Sequence, residues 1–308
     1  MPKAITPIAA VAAALLLGLG WGLSSAHTEA NLRDQCEERS RALGARAPLW
    51  EAARAAPARA ADPCARSQRQ AALTLVGVLE RFPEVPAPRV RVDPGVGVDA
   101  SAELEARSGT ILINPASLAL ADPSVWLHEL AHLQARGARP VEKIAVWILR
   151  AYEEAVADFY AASLNQRPQL GVTEGGAVRD VSKQQQVQES EWPSLAMGRA
   201  DPHRFGAALA AELWRAHAAD PGLARDLVRG LAALTTHGLK GARGARVLGV
   251  ALASTPRRSR ARLAAALRAW LPEQLHPSLE HPASHVGAGG ARWAPQGVVA
   301  DSTARIYE

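Results

Sequence analysis

The sequence predicts a helix-rich α+β fold, on three observations. Alanine and leucine dominate long segments whose apolar residues recur every three to four positions, the spacing of a helix with one buried face. Helix boundaries are marked by residues with a physical reason to stand there, such as Asp122-Pro123 at a start and Gly137 at a stop. Strand-like texture is confined to the stretch between residues 85 and 114. With 308 residues, 48% of them hydrophobic and only 5% aromatic, the chain can bury a sizeable core that is mostly aliphatic.

The chain opens with Met-Pro-Lys and an apolar run from Ile8 to Leu23, the charged start and apolar centre of an export signal. Sixteen residues fall short of the roughly 20 that a spanning helix needs. Ser24-Ser25-Ala26 supplies small residues for cleavage after Ala26, so residues 1–26 are expected to be a signal peptide and the protein to be exported. If the segment is retained, residues 8–23 anchor the chain to a membrane. Export would allow Cys36 and Cys64, the two cysteines of the chain, to pair, a bond worth about 3 to 4 kcal/mol for a loop of that length. Neither lies in a CxxC pair, so their expected role is structural.

Residues 27–84 read as a helical N-terminal cap of amphipathic helices broken by Pro57 and Pro63. Val85 to Val98, with its prolines and alternating Val90 and Val92, suggests extended chain. Thr110 to Asn114 is a short apolar strand closed by Pro115. The helix that starts at Asp122-Pro123 carries His128, Glu129 and His132, and a longer one, opened by Pro140 and ending near Leu164, carries Glu153, Glu154 and Asp158. Residues 166 to 200, rich in Gly, Gln and Ser, read as a long loop. Helices resume near Pro202 and run to about Leu271, and residues 273–308 form an irregular tail. The main domain therefore spans residues 85–272.

The net charge of +5 comes chiefly from arginine, since lysine occurs only at 3, 143, 183 and 240. These arginines are scattered over many helices, which describes a solvated surface and not a nucleic-acid interface. The tryptophans in apolar runs, Trp126, Trp147, Trp214 and Trp270, read as core. His217 and His237 read as helix-surface residues. His276, His281 and His285 recur at short spacing in the tail, a pattern that can bind metal but here sits among prolines.

His128-Glu129-Leu130-Ala131-His132 places two imidazoles four residues apart on one helix face, where both rings can converge on one metal ion with Glu129 beside them. A catalytic zinc needs a third protein ligand and an open position. Glu154 interrupts an otherwise apolar helix and can complete the site if the two helices pack. Asp158, one turn on along the same face, can accept the free N–H of a ligand histidine. Glu153 is the rival third ligand, but no acid stands four residues after it.

His-Glu-x-x-His followed 22 residues later by Glu-x-x-x-Asp resembles the gluzincin metallopeptidases. It is similar both to the thermolysin and fungalysin relatives and to the prenyl-protein and heat-shock membrane proteases. The latter carry several membrane spans, so the resemblance leans towards the soluble branch. It covers roughly residues 105 to 165. It implies a zincin-like fold, with a small sheet over the active-site helix and a helical C-terminal lobe. It also implies a Zn2+ cofactor, metal ligands His128, His132 and Glu154, a general base at Glu129, and a peptide or protein substrate. The stretch from Asp201 to Gly206 and the Ala-rich helix ending in Leu213-Trp214 are similar to a fungalysin segment, by which His203 would donate to the developing oxyanion. A substrate backbone is expected to lie antiparallel to Thr110–Asn114. Two alternatives stand beside the exported endopeptidase: a catalytically inactive zinc-binding interaction protein on the same fold, and a membrane-anchored processing peptidase.

Overall fold

A computed structural model describes residues 63 to 280, except 86, 94–95, 97–101, 106–107, 115–116, 136–146, 174, 184–185, 197 and 235–245. The signal, Cys36, His237, His281 and His285 lie outside the described residues, as does the side chain of Cys64, and with them the expected disulfide. The architecture is α+β and helix-rich with a small sheet. No helix among the described residues is long and apolar enough to cross a membrane.

Helix α1 (Pro63–Arg81) leads to strand β1 (Arg89–Val92), then β2 (Ala102–Glu105) and β3 (Thr110–Ile113). The strand order is β1-β3-β2, with β1 parallel and β2 antiparallel to β3. Strand β3 is therefore the centre of the sheet, hydrogen-bonded on both sides. The expectation that a substrate pairs with Thr110–Asn114 is overturned, because that strand has no free edge. The edge beside the next helix belongs to β2, which packs on it. Ala-Glu-Leu-Glu favours a helix by propensity, and pairing with Ile111 and Ile113 overrides that preference.

A short turn of 3-10 helix at Leu118–Ala121 delivers the chain to α2 (Pro123–Ala135). Asp122 is the expected cap: its carboxylate accepts the backbone N–H of Ser124 at 2.9 Å. Helix α3 (Trp147–Asn165) is the spine of the molecule. Buried residues occur on every side of it, among them Tyr152, Ala155, Phe159, Tyr160 and Ala162, because α2 and the C-terminal helices surround it.

Residues 166 to 200 are not the long loop expected from composition. Strands β4 (Gln169–Thr173) and β5 (Gly176–Asp180) form an antiparallel hairpin, and a short helix α4 (Trp192–Ala196) follows. The hairpin is tied to the start of α2: Val172 N–H donates to Asp122 at 2.5 Å, Arg167 pairs with the same carboxylate, and Gly171 N–H donates to Ser124 Oγ at 2.9 Å. Gly171 sits at φ 63°, and a Cβ there would meet the Val178 side chain at 3.0 Å. A glycine is required to let the two strands close on α2.

Helices α5 (Pro202–His217), α6 (Pro221–Ala232), α7 (Arg246–Ser254) and α8 (Arg257–Trp270) make the C-terminal lobe, and α9 (Pro277–Glu280) follows a short turn. The described start of the tail is thus helical in part, where irregular chain was expected. One hydrophobic cluster runs from Ala71 on α1 to Leu279 on α9. Trp126, Trp192 and Trp270 are buried in it, and Trp147 and Trp214 pack against it. His217 is half-buried at the end of α5, and His276 Nε2 faces the Leu271 carbonyl at 3.1 Å. Asp226 on α6 ties the lobe together, held by Arg258 through both carboxylate oxygens at 2.6 Å and by Ser259 Oγ at 2.7 Å.

Candidate metal centre

Two packed helices build the site. On α2 the spacing of four residues stacks His128 over His132, and their Nε2 atoms lie 3.1 Å apart. On α3 Glu154 turns toward both: Oε2 is 3.4 Å from His128 Nε2, and Oε1 is 3.5 Å from His132 Nε2. These three residues form a group whose donor atoms all lie within 4.8 Å of one another, able to hold a metal ion. Two imidazole nitrogens facing each other at 3.1 Å repel unless a cation or a proton lies between them. Glu154 Oε2 is buried and makes no hydrogen bond among the described residues. Both features fit a positive ion at the centre of the triangle. Glu153, the rival ligand, is not in the group.

Asp158 is fully buried one turn further along α3, with Oδ1 2.8 Å from His128 Nδ1. The approach is close but off the line of the ring N–H. It still fixes which nitrogen carries the proton, because a carboxylate only accepts, and so leaves Nε2 as the lone pair toward His132 and Glu154. Arg179, on β5, completes this layer by reaching Asp158 Oδ1 at 3.0 Å and Oδ2 at 3.2 Å. The sequence reading missed Arg179 because it placed the residue in a loop. The signal was there, in Thr173 to Gly176 between Leu170-Gly171-Val172 and Ala177-Val178, a turn between two short apolar runs.

The electrostatics of the cluster follow from its burial. Burial and the Arg179 charge push the His128 imidazole down, and the facing carboxylates of Asp158 and Glu154 outweigh them, so its pKa is raised to about 9. Burial also pushes His132 down, but the Glu154 charge and hydrogen bond leave it raised. Burial pushes Glu154 up, and the two imidazoles that face its carboxylate, the His132 charge foremost, hold it well below the usual carboxylate range. Asp158 is lowered in the same way, the Arg179 charge overcoming burial.

Glu129 points from the same turn of α2 and is buried, 7% exposed, yet no hydrogen bond engages it among the described residues. It acts on its surroundings through charge alone, on His132 and Arg179. His203 opens α5. Asp201 caps that helix through the His203 backbone N–H at 2.9 Å and also faces His203 Nδ1 at 2.8 Å. The other ring nitrogen, Nε2, lies 3.5 Å from Glu154 Oε2, so the ring stands at the mouth of the metal group with more than half its side chain exposed. The position depends on Gly206, one turn later. A Cβ there would come within 2.7 Å of the Ala151 carbonyl and of Glu154 Cβ, so only glycine lets α5 lie against α3 beside the ligand. Comparison of this chain with models of known families, with curated proteins and with solved structures returns no match.

Proposed function

We propose that the protein is an exported, zinc-dependent endopeptidase of the gluzincin type, and one observation carries the reading. The metal group has two imidazoles and one carboxylate at 3.1, 3.4 and 3.5 Å. A tetrahedral ion with bonds of about 2.0 to 2.1 Å spaces its ligand atoms about 3.3 Å apart. Calcium prefers six to eight oxygens at longer range, so nitrogen ligands at this spacing favour zinc. Three protein ligands also leave a fourth position for reaction, where a structural site is closed.

His128, His132 and Glu154 would hold the zinc, which when bound would supply an acidified water and a Lewis acid for a scissile carbonyl. Glu129, buried beside the candidate ligands and free of hydrogen bonds among the described residues, would act as the base that accepts a proton from the attacking water and passes it to the departing amine. His203, held by Asp201, donates Nε2–H to the developing oxyanion when protonated. Asp158 and Arg179 keep His128 in the ligand tautomer. The substrate backbone adds antiparallel to β2, the sheet edge that packs on α2.

The inactive zinc-binding alternative is opposed by Glu129. Holding a metal needs the histidines and Glu154 but no carboxylate beside them, whereas proton transfer needs one at that place. Glu129→Gln separates the two readings. It should retain one zinc per chain and bind peptide, while hydrolysis of a broad peptide library falls by at least about 1,000-fold. A wild-type protein that carries zinc yet cleaves nothing in that library would instead support the interaction module.

A further inference from the structure

The edge of the small sheet also contains a residue that the metal chemistry does not use. The register sets Ala102 opposite Ile113 and Leu104 opposite Ile111, and these apolar residues share the face turned to the core. Glu103 and Glu105 therefore project from the other face, since successive side chains alternate. The two acids differ. Glu105 accepts a short hydrogen bond from Ser108 Oγ and has Arg91 at 3.7 Å. Glu103 is the exposed residue of the strand and meets no cationic side chain among the described residues.

We propose that Glu103 selects for substrates with a lysine or arginine side chain at the position that falls across from it when a peptide adds to β2. This rests on the peptidase reading only for the direction in which the peptide lies. In an antiparallel pair, residues directly opposite hold their Cβ atoms about 4.5 to 5.5 Å apart on one face, within reach of a long basic side chain. Neighbouring substrate residues point to the other face, the one that packs on α2, so the charge preference is confined to alternate positions. An acidic residue at the selected position meets an unpaired like charge, which excludes it as effectively as the pair attracts a base. An exposed pair shifts an equilibrium by up to about fivefold, and salt reduces it.

The test reads binding, independent of turnover. Labelled octapeptides of alanine and glutamine, with one position at a time changed to Lys or Glu, are titrated against zinc-loaded Glu129→Gln protein at low salt. At one position or at alternate positions the Lys peptide should bind about fivefold tighter than the Gln peptide and the Glu peptide correspondingly weaker. Adding Glu103→Gln should bring the Lys-to-Gln ratio to about one, Glu103→Lys should invert it, and about 0.5 M salt should shrink it. A set of peptides with no charge preference at any position overturns the proposal, as does a preference that survives Glu103→Gln. Glu103-dependent selectivity in a protein that hydrolyses nothing upholds it and removes the peptidase reading alone. Hydrolysis without that selectivity does the reverse.

Discussion

A histidine offers a metal one lone pair, and a buried carboxylate at its other nitrogen decides which. Asp158 does this for His128, and Arg179 holds Asp158 charged in turn. Asp158→Ala should therefore weaken metal affinity by about 10- to 100-fold without abolishing it, as a chelator competition would measure. An unchanged affinity would make Asp158 a structural acid only. The raised His128 pKa of about 9 has a second consequence. Below that value the metal-free imidazole carries a proton that a cation must displace, so affinity rises with pH and flattens above about 9, by up to tenfold per unit for each proton displaced. Glu154 and Asp158, both lowered, bring no proton of their own near neutrality. Calorimetry of zinc binding in buffers of different ionisation enthalpy should count at least about one proton released at pH 7. These residues were legible in the sequence because two spacings, four residues between histidines and four between Glu154 and Asp158, are fixed by the helix itself. Arg179 was not, since its place depends on which way a hairpin folds back.

Among the described elements, α3 and α5 share the most extensive contact, and Gly206 permits it. In an ordinary exposed helix, Gly to Ala gains up to about 1 kcal/mol. Here the methyl group would press on Ala151 and Glu154, so Gly206→Ala should lower stability by about 1 to 3 kcal/mol and weaken zinc binding together. Thermal unfolding with and without metal reads both; a stabilised variant with unaltered zinc affinity would show that the contact does not position the ligand. The helices around the site could be read from caps and periodicity, as Asp122-Pro123 shows for α2. The strands could not be read as well. Ala102–Glu105 has the composition of a helix, and Gln169–Thr173 carries a glycine where a Cβ would strike Val178. Both strands are specified by what they pack on. The same blindness put the sheet edge in the wrong strand: Thr110–Ile113 is the most apolar strand because it is the middle one, while the edge strands among the described residues are β1 and the more polar β2.

At the scale of the molecule, one hydrophobic cluster among the described residues joins α1, the sheet and the C-terminal lobe around α3, so the candidate ligands on α2 and α3 are fixed by the whole packing and not by a loop. The chain carries a net charge of +5, yet its acids Glu129, Glu154 and Asp158 gather where the cation is wanted. The helix-rich α+β class followed from alanine-rich periodic segments, and the choice of Glu154 over Glu153 from the aspartate four residues after it, and the packing of α3 on α2 groups Glu154 with both histidines. That choice is also where the account is most exposed. Zinc content by elemental analysis and peptide hydrolysis should be measured together on the wild type, Glu154→Ala and Glu153→Ala. The expected result is about one zinc per chain with hydrolysis in the wild type and in Glu153→Ala, and neither in a folded Glu154→Ala. Full zinc and activity in Glu154→Ala, or a wild type that takes up no zinc, would contradict it.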